Sequence, residues 1–421
     1  MQQSLIDTQK FKSKVIFALF TFGPLMLTFI LPLIFFKHPL IATIFWYSIP
    51  ANIVFIATAI SISWFLFLFL TILFPRFSFK KATLEWPEKY LFSITLYFTV
   101  LAFLYNILTF FIKIPASLVV ILLPIKIMSA IAVAIYIYLN KNKILYAKKT
   151  GYFILAVNIL MICAHPLLSG NAYDTIYSLI AIAFAYTIIQ KNWKKSLLVI
   201  FLTLFVIASA MIVKNYVREL KINPKHLVKY DYIIFEHLNS VNFPNTPILR
   251  YENYVLNRIF TRLDNFTEFA YVVNTTPDPI PYLYGKTYKT LLYVFIPRML
   301  WHNKPVVEDG QFFAHRYHFI TDNDHVSCWS IPLPTEAWIN FGLPGIILSA
   351  IIIGLLINFF WSLFAAGEQI RNIIFATIIV FTASQGETNT TITIGSMIHA
   401  LIFYWIVDII VRHWPQRKSD L

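Results

Sequence analysis

Residues 344–363 read PGIILSAIIIGLLINFFWSL, twenty residues without one charged side chain. A helix needs about 20 residues to cross the hydrocarbon core of a bilayer, so this stretch alone predicts a transmembrane helix. The rest of the chain has the same character, since 58% of its 421 residues are hydrophobic and only 13% are charged. Roughly a quarter of the residues are charged in a soluble domain. The composition therefore predicts a membrane protein.

Ten stretches of the chain are predicted to span the membrane. They lie at about residues 14–36, 51–74, 91–112, 116–139, 151–169, 174–190, 196–213, 344–363, 373–386 and 391–411. These runs are continuously apolar, whereas the strands of a membrane barrel alternate over about ten residues. The predicted fold class is an all-α polytopic membrane protein with about ten transmembrane helices and one large loop, itself mainly helical.

The basic residues of the short connections are divided very unequally between the two sides. With a cytoplasmic N-terminus, the inner segments carry 18 lysines and arginines and the short outer connections carry two, Lys37 and Lys113. Lysine and arginine favour the cytoplasmic side. The predicted organisation is helices 1–7 over residues 1–213, an outer (periplasmic) loop over 214–343, and helices 8–10 with a cytoplasmic tail over 344–421. This bias also accounts for most of the net charge of +14, so we do not infer nucleic-acid binding.

The loop holds the first pair of candidate site residues, Arg258 and Arg262. Apolar residues recur around them at helical spacing from Val255 to Phe266, which predicts a helix with both arginines one turn apart on one face. Two guanidinium groups so placed suit a diphosphate, because each offers paired hydrogen bonds to phosphate oxygens. The alternative is a solvated face in which the arginines pair with Glu252, Asp264 or Glu268.

A second group of candidates follows in the loop. Arg298, His302 and Lys304 lie between two prolines in IPRMLWHNKP, residues 296–305, which predicts a rigid basic turn near the membrane surface. The turn suits an anionic substrate, or else contact with lipid headgroups. Glu336 lies just before the eighth span and is interpreted either as a general base or as a carboxylate that favours a helix N-terminus.

Four segments of the loop together resemble the O-antigen polymerase family. They are NRIFTR at 257–262, YGKTY at 284–288, IPRMLWHNKP at 296–305 and EAWINFG at 336–342. The resemblance implies a GT-C-like membrane glycosyltransferase of the bacterial inner membrane. It would polymerise undecaprenyl-diphosphate-linked repeat units on the periplasmic face, with a flippase and a chain-length regulator as neighbours. A polysaccharide ligase, a flippase or transporter, and a structural subunit of a synthesis complex are the alternatives.

The chemistry of that reaction assigns roles to the candidates. Negative charge grows on the departing diphosphate, and Arg258, Arg262, Arg298 and Lys304 would stabilise it. The acceptor hydroxyl must lose its proton, for which Glu336 and His302 are the candidate bases. No cofactor is expected, since the donor is already activated. No metal is expected either, although Asp322 and Asp324, with Asn323 and His325, offer a pattern that some metal-dependent glycosyltransferases share.

Charged residues inside predicted spans are the last candidates. Lys126 in the fourth span is costly in a bilayer unless it faces a partner or a water-filled cavity. His165, Asp174, Glu387 and His399 lie near the outer ends of spans or within the last one, and the sequence does not rank them.

Overall fold

The structure is a computed structural model. It describes residues 2–34, 49–74, 77, 85–111, 116–144, 148–169, 173–221, 264–294, 296, 301, 303–304, 309–320, 322–325, 329–365, 367 and 369–413. Every regular element in these ranges is a helix, which confirms the predicted all-α class.

In the described ranges, seven helices precede the loop: α1 (Gln2–Ile34), α2 (Ala51–Leu73), α3 (Glu88–Phe111), α4 (Ala116–Lys141), α5 (Lys148–Ser169), α6 (Tyr173–Gln190) and α7 (Trp193–Lys221). The loop contributes α8 (Asn265–Thr275), a 3₁₀ helix (Thr287–Leu292) and α9 (Asp309–Arg316). The chain then forms α10 (Leu333–Phe360), a π-helical turn (Trp361–Ala365), α11 (Ile370–Ala383) and α12 (Thr390–Arg412). Each of the ten predicted spans therefore coincides with a helix.

The helices differ in their fitness to cross a bilayer. In the described part of the chain, five segments have the length and apolar composition of a span: Phe11–Ile34, Ala51–Leu73, Glu88–Leu108, Leu333–Ala365 and Thr390–Arg412. Three apolar segments are shorter, namely Lys149–Ala164, Asp174–Gln190 and Ile370–Ala383. Large apolar side chains on several helices also face outward, as on a lipid-exposed surface. Examples are Ile62, Leu66, Leu70, Leu160, Phe201, Phe205, Leu348 and Ile352. These apolar helices identify a membrane protein.

The short helix α11 is the centre of the bundle. All of its residues from Ile373 to Ala383 are buried, and it packs against α1, α4, α6 and α12. A helix of 14 residues is about 21 Å long, less than the roughly 30 Å of a hydrocarbon core. Protein surrounds α11 on all sides, so its short length leaves no backbone polar group facing lipid.

Helices α2 and α10 pack very closely because a glycine lies at their contact. A Cβ atom added at Gly354 would fall 1.8 Å from Oγ1 of Thr71. One end of this pair is fixed by Lys14, whose Nζ donates hydrogen bonds to the Phe74 carbonyl and to Oδ1 of Asn358, each at 2.8 Å. The side chain of Lys14 is thereby buried without an unsatisfied ammonium group.

A buried acid organises the same end of the bundle. Asp408 is fully buried in α12, and its Oδ1 accepts hydrogen bonds from Nε of Arg371 at 2.9 Å and from Nε1 of Trp86 at 2.8 Å. Arg412, one turn further along α12, reaches Oδ2 at 3.1 Å. Lys14 contacts the ends of α2 and α10, and Arg371 and Arg412 flank Asp408 near the end of α12, so all three lie at the end of the bundle away from the start of α12. All three are among the 18 basic residues of the predicted inner segments.

The loop differs from the sequence prediction in one respect. The apolar stripe from Val255 to Phe266 predicts one continuous helix, but Asp264 has a non-helical backbone and caps α8, which begins at Asn265. Its carboxylate accepts a hydrogen bond from the Thr267 N–H at 2.8 Å. Aspartate competes well for such a capping position, which interrupts the pattern at that point. Residues 251–263 lie outside the described residues.

Helix α8 attaches the loop to the bundle. Asn265 donates a hydrogen bond from Nδ2 to Oγ1 of Thr28 in α1, at 2.8 Å. Phe266 and Phe269 are fully buried and pack edge-on or tilted against Phe29, with ring centroids 6.4 and 5.7 Å away. This part of the loop is therefore joined to the bundle by a buried aromatic cluster and a buried hydrogen bond.

Candidate functional site

Glu336 lies where two helices begin. It belongs to the first turns of α10, and its side chain is 0% exposed. Its Oε2 accepts hydrogen bonds from both the backbone N–H and the hydroxyl of Thr390, each at 2.6 Å. Thr390 is the first residue of α12, whose N-cap Asn389 accepts a further hydrogen bond from Ile392 N–H at 2.9 Å. The carboxylate thus satisfies an N–H group that the helix itself cannot, and it lies at the positive end of the helix dipole.

The bend in α10 separates this turn from the membrane helix that follows. Gly342 has φ +60° and ψ −141°, so the residues before it form a short helix of their own. A Cβ atom there would lie 2.5 Å from the hydroxyl oxygen of Tyr282. Only glycine combines that backbone conformation with so close an approach. The bend lies just before the predicted start of the eighth span at residue 344, within the apolar segment Leu333–Ala365.

Two of the segments that carry the family resemblance contact each other here. Asn340 is fully buried and accepts a hydrogen bond from Gly285 N–H at its Oδ1, at 2.9 Å. Its Nδ2 donates to Oγ1 of Thr287 at 2.8 Å, and its carbonyl accepts from Tyr284 N–H at 3.0 Å. The segment at 284–288 is therefore fixed, residue by residue, to the segment at 336–342.

Tyr288 brings a phenol to the carboxylate. Burial raises the pKa of Tyr288 well above its usual value, and the negative charge of Glu336 raises it further, while the side chain of Thr390 lowers it in part. Tyr288 follows Thr287 in the 3₁₀ helix, and Thr290 of the same helix shares a hydrogen bond with Thr391 of α12. The phenol is therefore protonated at neutral pH, and it can donate a hydrogen bond as well as accept one.

Lys304, from the third segment, contacts the chain just after the 3₁₀ helix. Its Nζ donates hydrogen bonds to the carbonyls of Val294 and Ile296, at 3.0 and 2.9 Å, and lies 5.9 Å from the ring centre of Tyr293. Val294 in turn packs against Gly395 in α12, where an added Cβ would lie 3.1 Å away. Lys304 thus contacts α12 indirectly, through the segment that carries Val294. We refer to Tyr288, Glu336, Asn340 and Thr390 as the Glu336 site.

Four of the predicted site residues, Arg258, Arg262, Arg298 and His302, lie outside the described residues. Two of the carboxylates that the sequence offers as partners of the arginines have other roles. Asp264 caps α8, and Glu268 accepts a hydrogen bond from Nε1 of Trp329 at 2.6 Å. No three histidine, cysteine or acidic side chains among the described residues are grouped to hold a metal ion.

Sequence reasoning missed three members of the Glu336 site. Tyr288 and Asn340 stand in quoted segments but received no role, and Thr390 was not considered. A local signal for Thr390 exists, because Asn389 is a favoured N-cap residue and marks the start of a helix. No local signal connects Thr390 to Glu336, since 54 residues separate them.

A second polar site lies between the helices. Nζ of Lys126 in α4 is 3.0 Å from Oδ2 of Asp174 in the first turn of α6. The pair lines a small, partly open cavity between the helices. Its other lining residues are Tyr105, Asn106, Ser129, Met161, Ile162, Thr175 and Ser178. Lys126 was predicted to face either a partner or a cavity, and the structure provides both.

A tyrosine connects this cavity to the start of α12. Tyr177, one turn after Asp174 in α6, donates a hydrogen bond to Oε1 of Glu387 at 2.5 Å. Glu387 lies in the turn between α11 and α12, as predicted, and the neighbouring Gly386 carbonyl accepts a hydrogen bond from Leu333 N–H at 3.0 Å. The Lys126 cavity and the Glu336 site therefore lie at the same end of the bundle and flank one turn.

Comparison with known proteins gives a family without an assigned activity. A sequence model described as a domain of unknown function (DUF8712) matches residues 77–414. That range covers 338 of the 421 residues, from just before α3 to the end of α12. No curated protein and no solved structure matches the chain.

Proposed function

We propose a function for this chain, which belongs to the DUF8712 family: it is a membrane glycosyltransferase that joins lipid-linked oligosaccharide units into a longer polysaccharide. The observation that carries the proposal is the contact between two segments that resemble O-antigen polymerases. Residues 284–288 and 336–342 are hydrogen-bonded to each other beside the start of α12, where the buried carboxylate of Glu336 lies. Such convergence of distant segments on one polar site is typical of a functional centre.

The proposed reaction transfers a glycan from one polyprenyl diphosphate to another lipid-linked unit. The acceptor hydroxyl oxygen forms a bond to the anomeric carbon of the donor sugar, and the bond from that carbon to the diphosphate oxygen breaks. The diphosphate leaves with the electron pair, and the hydroxyl proton passes to a base. The donor supplies the activation, so we propose no cofactor and no resident metal.

Each candidate residue has a proposed part in this step. Arg258, Arg262, Arg298 and Lys304 neutralise the departing diphosphate, since positive groups fixed before the reaction stabilise charge that develops in the transition state. His302 and Glu336 are the candidate bases. Because Glu336 is fully buried and holds Thr390, its use as a base requires Tyr288 and Thr390 to move aside when substrate binds.

We further propose about ten spans in a GT-C-like arrangement, in the inner membrane of a bacterium. Both termini would be cytoplasmic and the loop at residues 214–343 periplasmic. The unequal distribution of basic residues supports this orientation. So does the grouping of Lys14, Arg371 and Arg412 at the end of the bundle opposite the Glu336 site. A polyprenyl diphosphate would then reach the site from the outer leaflet.

A lipid-linked oligosaccharide transporter is the second candidate function. The specific observation in its favour is the Lys126–Asp174 pair beside a cavity, because charged pairs inside a helical bundle often line a substrate path. A polysaccharide ligase would use the same donor and the same arginines with a different acceptor. The three functions differ in whether a glycosidic bond forms and on what acceptor.

The test is incubation of the purified protein with undecaprenyl-diphosphate-linked repeat units, followed by analysis of glycan length. Longer lipid-linked glycans would support the polymerase. Transfer to a second acceptor, with no lengthening on the polyprenyl carrier, would instead indicate the ligase. Movement of the lipid-linked units across a vesicle bilayer without bond formation would overturn the glycosyltransferase in favour of the transporter. Protein with Arg298→Ala serves as the matched negative control.

A further inference from the structure

The cavity beside Lys126 is the strongest feature that the proposed reaction leaves unused. Four helices contribute to it: Tyr105 and Asn106 come from α3, Lys126 and Ser129 from α4, and Asp174, Thr175 and Ser178 from α6, with Met161 and Ile162 from α5. The wall is rich in hydroxyl, amide and charged groups, although the helices around it are apolar.

Three features of this wall favour an oxyanion. Of the described residues that line it, Lys126 carries the only positive charge, and its side chain is 21% exposed. Asp174 and Thr175 lie in the first turn of α6, so the positive end of that helix also faces the cavity. Ser129 and Ser178 add hydroxyl groups that can donate hydrogen bonds.

The Asp174 carboxylate is the anionic group that Lys126 contacts in the structure. It lies 3.0 Å from the Lys126 ammonium, at the distance of a charge-assisted hydrogen bond. A phosphate oxygen presents the same negative acceptor to the ammonium. An entering phosphate would therefore exchange with Asp174 or share the ammonium with it.

We infer that this cavity is a second phosphate-binding site, which holds the phosphate group of a lipid-linked substrate or product beside the Glu336 site. Lys126 binds the phosphate oxygen, and Asp174 is the counter-ion that keeps the ammonium charged and in place when the site is empty. The Tyr177–Glu387 hydrogen bond joins the cavity to the turn before Thr390. The identity of the lipid rests on the proposed function, but the phosphate chemistry rests on the cavity alone.

The site explains why a charged pair is kept in a costly place. The attraction between two charges buried between helices often does not offset the free energy lost when they leave water. Apolar residues of similar size therefore often stabilise the fold equally well. A site that exchanges the carboxylate for a phosphate needs the ammonium, however. The carboxylate also sets the affinity, because it competes with the ligand for the same cation.

Because of this competition, substitutions of Lys126 and Asp174 should change the affinity in different ways. Protein in detergent micelles is titrated with undecaprenyl phosphate and, separately, with inorganic pyrophosphate, and the dissociation constant is measured without any acceptor. Lys126→Gln should weaken binding about tenfold to a hundredfold, as expected for loss of a hydrogen bond to a charged group. Asp174→Asn should leave binding equal to wild type or tighter, because the competing carboxylate is gone. Lys149→Gln, at an exposed lysine of α5, is the matched control and should bind as wild type does.

The two ligands separate the sources of the phosphate. Binding of the lipid alone, dependent on Lys126, would assign the site to a lipid headgroup. Binding of both ligands, dependent on Lys126, would assign it to a free phosphate or diphosphate as well. The double variant Lys126→Gln with Asp174→Asn removes both charges together and serves if the single lysine variant does not fold.

The inference and the proposed function fail in different ways. If folded Lys126→Gln or the double variant binds both ligands as tightly as the wild type, the second site is wrong, whether or not the protein polymerises glycans. If Asp174→Asn abolishes binding while Lys126 is kept, the assignment of roles is also wrong. If polymerisation never occurs but lipid binding depends on Lys126, the second site stands and the proposed function falls.

Discussion

The carboxylate of Glu336 accepts two hydrogen bonds from Thr390, and so joins the first turns of α10 to the first residue of α12. Both residues are buried. We expect Glu336→Ala to lower the free energy of unfolding by about 1–3 kcal/mol, because it leaves buried donors on Thr390 without an acceptor. Equilibrium unfolding in mixed micelles measures this loss.

A double-mutant cycle isolates the contact. Thr390→Val removes the hydroxyl but retains the N–H group and the shape, so it should cost about 1 kcal/mol and couple to Glu336→Ala. Thr388→Val, in the turn before α12, removes a hydroxyl that donates to the Gln385 carbonyl and should show no coupling. Additive effects of the Glu336 and Thr390 variants on the free energy of unfolding would contradict a direct interaction between these two side chains.

Because of Tyr288, we expect the free energy of unfolding to fall at alkaline pH. The pKa of Tyr288 is raised in the folded protein by burial and by Glu336, whereas in the unfolded chain it is about 10. The unfolded state therefore releases the proton first, and the stability that the neutral phenol contributes is lost as the pH rises above about 10. One pH unit above that value, the loss should approach about 1.4 kcal/mol.

The measurement compares unfolding midpoints at pH 8 and pH 11. Tyr288→Phe should lose less stability between the two than the wild type, since it has no proton to release. Tyr284→Phe, at a side chain that is 75% exposed, should behave as the wild type does. An equal alkaline loss in the wild type and in Tyr288→Phe would argue against the buried phenol.

Asp408 should be the most sensitive acid at the other end of the bundle. It is fully buried between Arg371 and Arg412, whose side chains are 12% and 18% exposed. Asp408→Asn leaves two poorly hydrated arginines without their counter-charge and should cost about 3–5 kcal/mol of unfolding free energy. The matched control is Glu85→Gln, an exposed acid that accepts a hydrogen bond from Gln369 and should change stability by less than about 1 kcal/mol. Similar costs for the two variants would refute a special role for Asp408.

We expect substitution of the loop arginines by lysine to lower the activity without affecting folding. Arg258→Lys, Arg262→Lys and Arg298→Lys keep the charge but remove the planar fork that matches phosphate oxygens. Loss of about 3 kcal/mol of transition-state stabilisation corresponds to a rate roughly a hundredfold lower. Lys194→Ala, on the proposed inner side, should polymerise at the wild-type rate. Three arginine variants with wild-type rates would leave the arginines as structural ion-pair partners.

The orientation of the chain is tested by chemical labelling. With Cys163 and Cys328 replaced by serine, a cysteine introduced at Asn239 should react with a membrane-impermeant reagent in intact cells. A cysteine at Lys148 should react only after the membrane is opened. Labelling at Lys148 alone would reverse the topology, and with it the proposed outer position of the site.

The sequence by itself determined the helices. Residues 51–74 and 344–363 were predicted as spans, and helices cover Ala51–Leu73 and Leu333–Phe360. The reason is local, because a segment in lipid must satisfy its backbone within itself and therefore shows its length and apolarity directly. The sequence could not tell that α11 is enclosed by protein, since an apolar helix looks the same whether lipid or other helices surround it.

Only the tertiary structure decided which polar groups meet. Glu336 pairs with Thr390 across 54 residues, Lys126 with Asp174 across 48, and Trp86 with Asp408 across 322. In each case the sequence identifies at least one polar group that needs a partner, because burial without one is costly. It does not identify the partner, since that depends on how the helices pack, and packing is set by many side-chain contacts of similar strength that no local pattern records.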